Sequence, residues 1–117
     1  VAIVQLDLAD GEKSRFMVHY NLGNKFRAMG KGEEAIEQYR ISIELNPEYI
    51  SSHNNLALQY QLLGRKDEAI NAWNRVIAMA RARGDAMYVQ RAERYLEMLR
   101  RGIPLRPPSE KGQGNQR

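Results

Sequence analysis

A chain of 117 residues with 43% hydrophobic and 27% charged positions has room for one folded domain with a modest core, and its composition excludes a disordered polymer. It has no Cys, which excludes disulfides, thiolate metal sites and cysteine nucleophiles and leaves the redox compartment open. The net charge of +4 is unevenly placed: residues 78–117 carry nine basic against four acidic groups while residues 1–77 nearly balance, so the C-terminal third is the part that would attract an acidic partner.

The chain opens on Val1 without an initiator Met, which points to a fragment or a processed chain. No apolar run reaches the length of a membrane span and no signal segment leads the sequence, so the cytoplasm is the default expectation. The first segment, VAIVQLDLAD, alternates apolar residues as a strand would, but it also suits the second helix of a truncated repeat covering about 1–12. The repeats that follow favour the helix.

From residue 16 onward the chain matches itself at a shift of 34. His19 falls on His53, Asn21 on Asn55, Leu22 on Leu56, Gly23 on Ala57 and Phe26 on Tyr60. Gly30 then falls on Gly64, Glu34 on Glu68, Ala35-Ile36 on Ala69-Ile70, Tyr39 on Trp73 and Ile43 on Ile77. Apolar residues recur at three and four positions within each copy, as in Leu22, Phe26 and Met29 or Ala35, Tyr39 and Ile43, which is the period of a helix with one buried face. Gly30 and Gly64 stand where a first helix should stop, and Asn46-Pro47 ends the second helix of repeat one. The boundaries are about 16–49 and 50–83.

Repeat two lacks a closing proline, so its second helix is expected to run through RVIAMARAR to Gly84. A last helix, about 86–101, puts Val89, Ala92, Tyr95, Leu96 and Leu99 on one face and reads as a cap before Gly102 and Pro104. The tail, 103–117, is rich in Pro, Gly and polar residues and is expected to be disordered.

HYNLGNKFRAMGKGEEAIEQYRISIELNP resembles a tetratricopeptide repeat, with Leu22, Gly23, Phe26, Ala35, Tyr39 and Pro47 at the signature positions. HNNLALQYQLLGRKDEAINAWNRVIAMA is similar to a second copy through Leu56, Ala57, Tyr60, Ala69 and Trp73. The sequence departs from the pattern at His19 and His53, which replace an aromatic, and at Ser42, which replaces a small apolar residue. The resemblance implies an all-α, right-handed stack of antiparallel helix pairs, a tetratricopeptide-type solenoid, whose neighbouring pairs bury a continuous core. It also implies a concave groove lined by the first helices, presenting Met17, Tyr20, Asn21, Asn24 and Arg27, then Ser51, Asn54, Asn55, Leu58, Gln61 and Leu62. Asn21 and Asn55 match positions where related repeats form an asparagine ladder, and an amide can grip an extended backbone through both donor and acceptor. Tyr20 and the two leucines would be apolar anchors. Asn24 and Asn55 also match two positions of a chaperone carboxylate clamp, but Tyr20 stands where a Lys belongs and the cap helix has no Lys-Arg pair in register.

Other chemistry finds little support. His19 and His53 share one repeat position without ligands at metal spacing, so no metal is expected. Gly30-Lys31-Gly32-Glu33-Glu34-Ala35 spells part of a dinucleotide fingerprint, but a helix precedes it where that motif needs a strand. There is no Walker loop or nucleophile elbow, the carboxylates follow solvated helical faces, and neither an enzyme nor a cofactor is expected. Arg81, Arg83, Arg91, Arg94, Arg100, Arg101 and Arg106 make the end basic, with too few free aromatics for a nucleic-acid stacking platform. Arg101 to Pro107 fits the basic pattern read by SH3 domains, which proline-containing tails often match by chance. The expected function is a scaffold that holds a peptide or protein segment in the groove. The alternatives are a spacer or oligomerisation segment joined through its end helices, or a substrate-positioning part of a larger multidomain protein.

Overall fold

The computed structural model describes residue 11 and residues 14–105. Apart from Gly11, the half-repeat expected over 1–12 lies outside these residues, as does the expected disordered tail beyond Leu105. Among the described residues five helices follow in order: α1 (Phe16–Ala28), α2 (Gly32–Leu45), α3 (Ile50–Leu62), α4 (Lys66–Arg83) and α5 (Ala86–Arg100). No strand occurs among the described residues. Each helix packs against the next in sequence, giving a stack of helix pairs.

The turns repeat one device. Lys31 N–H bonds to the Phe26 carbonyl at 2.8 Å and Gly30 N–H to Arg27 at 3.0 Å, a Schellman closure that needs the left-handed backbone Gly30 adopts at φ +78°. The same pair of bonds recurs around Gly64, from Arg65 to Tyr60 and from Gly64 to Gln61. It recurs again after α4, where Asp85 bonds to Ala80 and Gly84 to Arg81. Helix starts depend more on charge than on caps. Glu33 and Glu34 sit in the first turn of α2, and Asp67 and Glu68 in that of α4, against the positive end of the helix dipole. Asp85 does cap α5, its carboxylate accepting from Tyr88 N–H at 3.3 Å.

The core joins the pairs. Trp73 and Tyr39 are fully buried among Ala35, Ala57, Ala69, Ala80 and Ala92, small residues that let the helix axes approach. Trp73 stacks on Tyr95 of α5 with centroids 4.9 Å apart and planes 6° from parallel. Burial follows the neighbours available. Leu56 of α3 is 9% exposed, whereas Leu22, its counterpart in α1, is 38% exposed and lies beside exposed Val18 and Met29. The apolar period of α1 is thus present, but no described helix covers that side of it.

Candidate functional site

The first helix of each pair carries the expected groove residues, and five polar side chains meet where α1, α2 and α3 come together. Tyr39 reaches out of the core from α2, its hydroxyl donating to Asn24 Oδ1 at 2.6 Å. Asn55 Nδ2 donates to the same oxygen at 3.0 Å and to the Tyr20 hydroxyl at 3.3 Å. Asn54 Nδ2 donates to Asn55 Oδ1 at 3.2 Å. Burial pushes the Tyr39 hydroxyl above its ordinary pKa, and the Arg27 guanidinium beside it works in the opposite direction. Tyr20 is held edge-on by Tyr49, with centroids 5.2 Å apart.

Counting donors and acceptors shows what remains for a ligand. Asn24 Oδ1 accepts two hydrogen bonds and both Asn55 Nδ2 hydrogens are used, so the face keeps the Asn24 amide hydrogens as free donors with exposed Arg27 on the same helix. One lone pair of Asn55 Oδ1 stays available.

The remaining expected residues divide into two groups. Met17 and Asn21 are exposed and stand outside this network, so the asparagines that meet are Asn24 and Asn55. Leu58 and Leu62 are half-buried on α3. Gln61 is buried and committed: its Oε1 accepts from Trp73 Nε1 at 2.7 Å and its Nε2 donates to the Tyr95 carbonyl at 3.3 Å, tying α3 to α4 and α5. Asn54 is also buried, and its Oδ1 has no hydrogen-bond partner among the described residues.

Sequence reasoning missed two participants. The apolar period marks Tyr39 only as a core aromatic, yet its hydroxyl fixes Asn24. Tyr88 of α5 lies 3.2 Å from the Ser51 hydroxyl and carries Arg91 over its ring at 4.9 Å, so α5 faces α3 as α3 faces α1. A shift of 35 would have hinted at this, since it sets Ala57 on Ala92 and Tyr60 on Tyr95. The two histidines take different partners, Gln38 Oε1 for His19 at 2.7 Å and the Pro47 carbonyl for His53 at 2.8 Å. No group of three or more potential metal ligands occurs among the described residues.

Stacked helix pairs closed by glycine turns, with amides on the first helices, define a helical repeat of the kind that mediates protein–protein interaction. Residues 23–64 match the family described as TPR repeat and residues 50–83 the family described as Tetratricopeptide repeat, and the chain belongs to the tetratricopeptide-repeat family. It is 30% identical to Photosystem I assembly protein Ycf3 of Rippkaea orientalis (strain PCC 8801 / RF-1), across 64% of this chain and 51% of that protein. The chain therefore spans about half the length of the curated relative it matches. No solved structure matches it significantly. No described helix is long and apolar enough to cross a membrane.

Proposed function

We propose that the chain is a scaffold module that holds an extended segment of a partner protein along the face shared by α1, α3 and α5. The observation that carries this reading is the Tyr39–Asn24–Asn55 chain of hydrogen bonds, which spends the Asn24 oxygen internally and leaves its amide hydrogens free beside Arg27. Such a face suits the carbonyl groups of an extended backbone, with Leu58 and Leu62 as apolar contacts from α3. Met17, Asn21 and Ser51 would lie at its edges. Gln61 and Asn54 would act from behind, the first by holding α5 in place and the second by holding Asn55. The likeness to a protein named for photosystem I assembly fits a role in bringing partner chains together.

The test is a titration of isotopically labelled protein with a pool of extended peptides, followed by side-chain and backbone amide NMR. Saturable shifts at Asn24, Arg27 and Leu58 are expected, and Asn24→Ala should weaken them roughly tenfold, the scale of losing one or two hydrogen bonds to a ligand. A face that stays silent to every peptide would refute the reading.

A second reading has one observation in its favour. Val18, Leu22 and Met29 form an exposed apolar strip on α1, which suits self-association through that end of the stack. Shifts confined to this strip in a dilution series, without peptide, would favour it.

A further inference from the structure

Between α2 and α4, over the middle of α3, lies an open trough of about 400 Å³. The α3 residues that floor it are His53, Leu56 and Tyr60. With 3.6 residues per turn, these point to the opposite side of α3 from Ser51, Asn55, Leu58 and Leu62. The trough is therefore separate from the face proposed above.

Two mostly buried residues of its lining, Tyr60 and His53, each keep a polar atom without a hydrogen bond among the described residues. Tyr60 is 6% exposed and its hydroxyl has no hydrogen bond among the described residues. His53 is also 6% exposed, and its Nε2 is taken by the Pro47 carbonyl, which leaves Nδ1 without a partner. Both atoms keep some contact with solvent, since neither is among the fully buried unpaired groups.

The charges at the rim are equal in number but unequally paired. Glu68 is occupied by Arg65, whose Nε and a terminal nitrogen donate to its two oxygens at 2.7 and 3.0 Å. Arg40 and Arg75 line the trough and enter no ion pair among the described residues, against one uncommitted carboxylate, Glu44. Arg65 is shared with Glu33 and Arg40 also acts on Glu68, so the charges around the rim balance, but Arg40 and Arg75 are the lining guanidinium groups without a fixed carboxylate partner among the described residues. Beneath them lie Ile43, Leu56 and Ala72, an apolar floor.

We propose that this trough is a second docking site, which takes a protein segment presenting an acidic side chain beside an apolar one. The carboxylate accepts from Arg40, Arg75 and the Tyr60 hydroxyl, and charge-assisted bonds of this kind are the strong ones. The neighbouring apolar side chain covers Ile43, Leu56 and Ala72, and His53 Nδ1 accepts a backbone N–H. Glu44 repels a carboxylate placed at its own end and so sets the direction of the segment. An open trough suits a chain that continues past both ends, which is why the occupant is a protein segment.

The test uses the labelled full chain and two pools of acetylated, amidated hexapeptides with apolar flanks, one with a central Glu and one with Gln. The Glu pool is expected to shift the His53 imidazole and the amides of residues 40–44 and 71–75 saturably, with the Gln pool roughly tenfold weaker. The double variant Arg40→Ala/Arg75→Ala, altered at two exposed positions, should abolish the difference between pools while leaving any response at Asn24 and Asn55 unchanged. Equal responses to both pools, or an undiminished response in the double variant, would overturn the proposal. So would a trough that ignores both pools yet responds to 3-phenylpropionate, which would make it a small-carboxylate site. Shifts confined to Asn24 and Asn55 would uphold the first face and sink the second.

Discussion

Gly23 lies within α1, where an alanine would ordinarily stabilise a helix by about 1 kcal/mol over glycine. Its Cβ, however, would fall 2.5 Å from Tyr39 Cε1 and 2.7 Å from Cδ1, and Tyr39 is fully buried with its hydroxyl tied to Asn24. The ring has no room to retreat, so overpacking outweighs propensity. Gly23→Ala is expected to lower stability by about 1–3 kcal/mol in urea unfolding, and a stabilised variant would show that the ring can move. Ser42 makes a similar point. In the sequence it is a departure from a small apolar position, and the structure explains it: Ser42 Oγ lies 2.7 Å from Ser52 Oγ and both side chains are buried. Ser42→Ala alone strands the Ser52 hydroxyl and should cost about 1–3 kcal/mol. The double change to Ala removes both groups and should cost less than the sum of the two single changes, a coupling of about 1 kcal/mol in a double-mutant cycle. Neither pairing was legible beforehand, because residues 42 and 52 are brought together only by the turn between α2 and α3.

At the scale of elements, what could be read in the sequence was what repeats. The shift of 34 exposed the helix pairs, and Gly30 and Gly64 marked turns that adopt φ near +78° and +76°. The networks could not be read, since they depend on which rotamer carries an amide from one helix to the next. Gln61 is the clear case: expected on the groove face from the resemblance to the repeat family, it is drawn instead into the joint of α3, α4 and α5 by Trp73 and the Tyr95 carbonyl. The α2–α3 turn has its own joint at His53, whose ring bonds to the Pro47 carbonyl. Burial holds the His53 pKa below its ordinary value; the Pro47 bond works against this, and the charges of Arg75 and Arg83 reinforce the depression. The unfolded chain therefore binds a proton at a pH where the folded chain does not, and stability rises with pH across that window. Stability is expected to be full above about pH 6.5 and to fall as the pH drops from there through the depressed His53 value. Urea midpoints measured between pH 7.5 and 5 should show this loss, and His53→Gln should flatten it. An equal slope in the variant would assign the acid sensitivity to another group.

Across the whole molecule, the order of packing matters more than any one contact. Each helix lies chiefly on its sequence neighbours, so stability is close to a sum of nearest-neighbour terms and need not be uniform along the stack. Burial is concentrated in the middle. Nine residues of α3 are buried and five of α4, including Trp73 and Val76, whereas α1 buries only Gly23 and α5 only Ala92 and Leu96. Fully burying one large apolar side chain contributes about 1.5–3 kcal/mol, so this difference is large beside the total stability of a small domain. Opening α1 uncovers one face of α2, around Tyr39, while opening α3 breaks the contacts on both sides of it. Native-state hydrogen exchange should therefore find the slowest amides in α3 and α4 and the fastest helical amides in α1, with protection differing by at least about 1.4 kcal/mol, or tenfold. Equal protection in all five helices would mean that the stack opens as one unit, through interactions that burial alone does not account for. A graded result would locate the softest helix at α1, which carries both Asn24 and the exposed strip of Val18, Leu22 and Met29. A partner bound along the α1–α3 face should then raise protection most in α1, because that helix has the most order to gain.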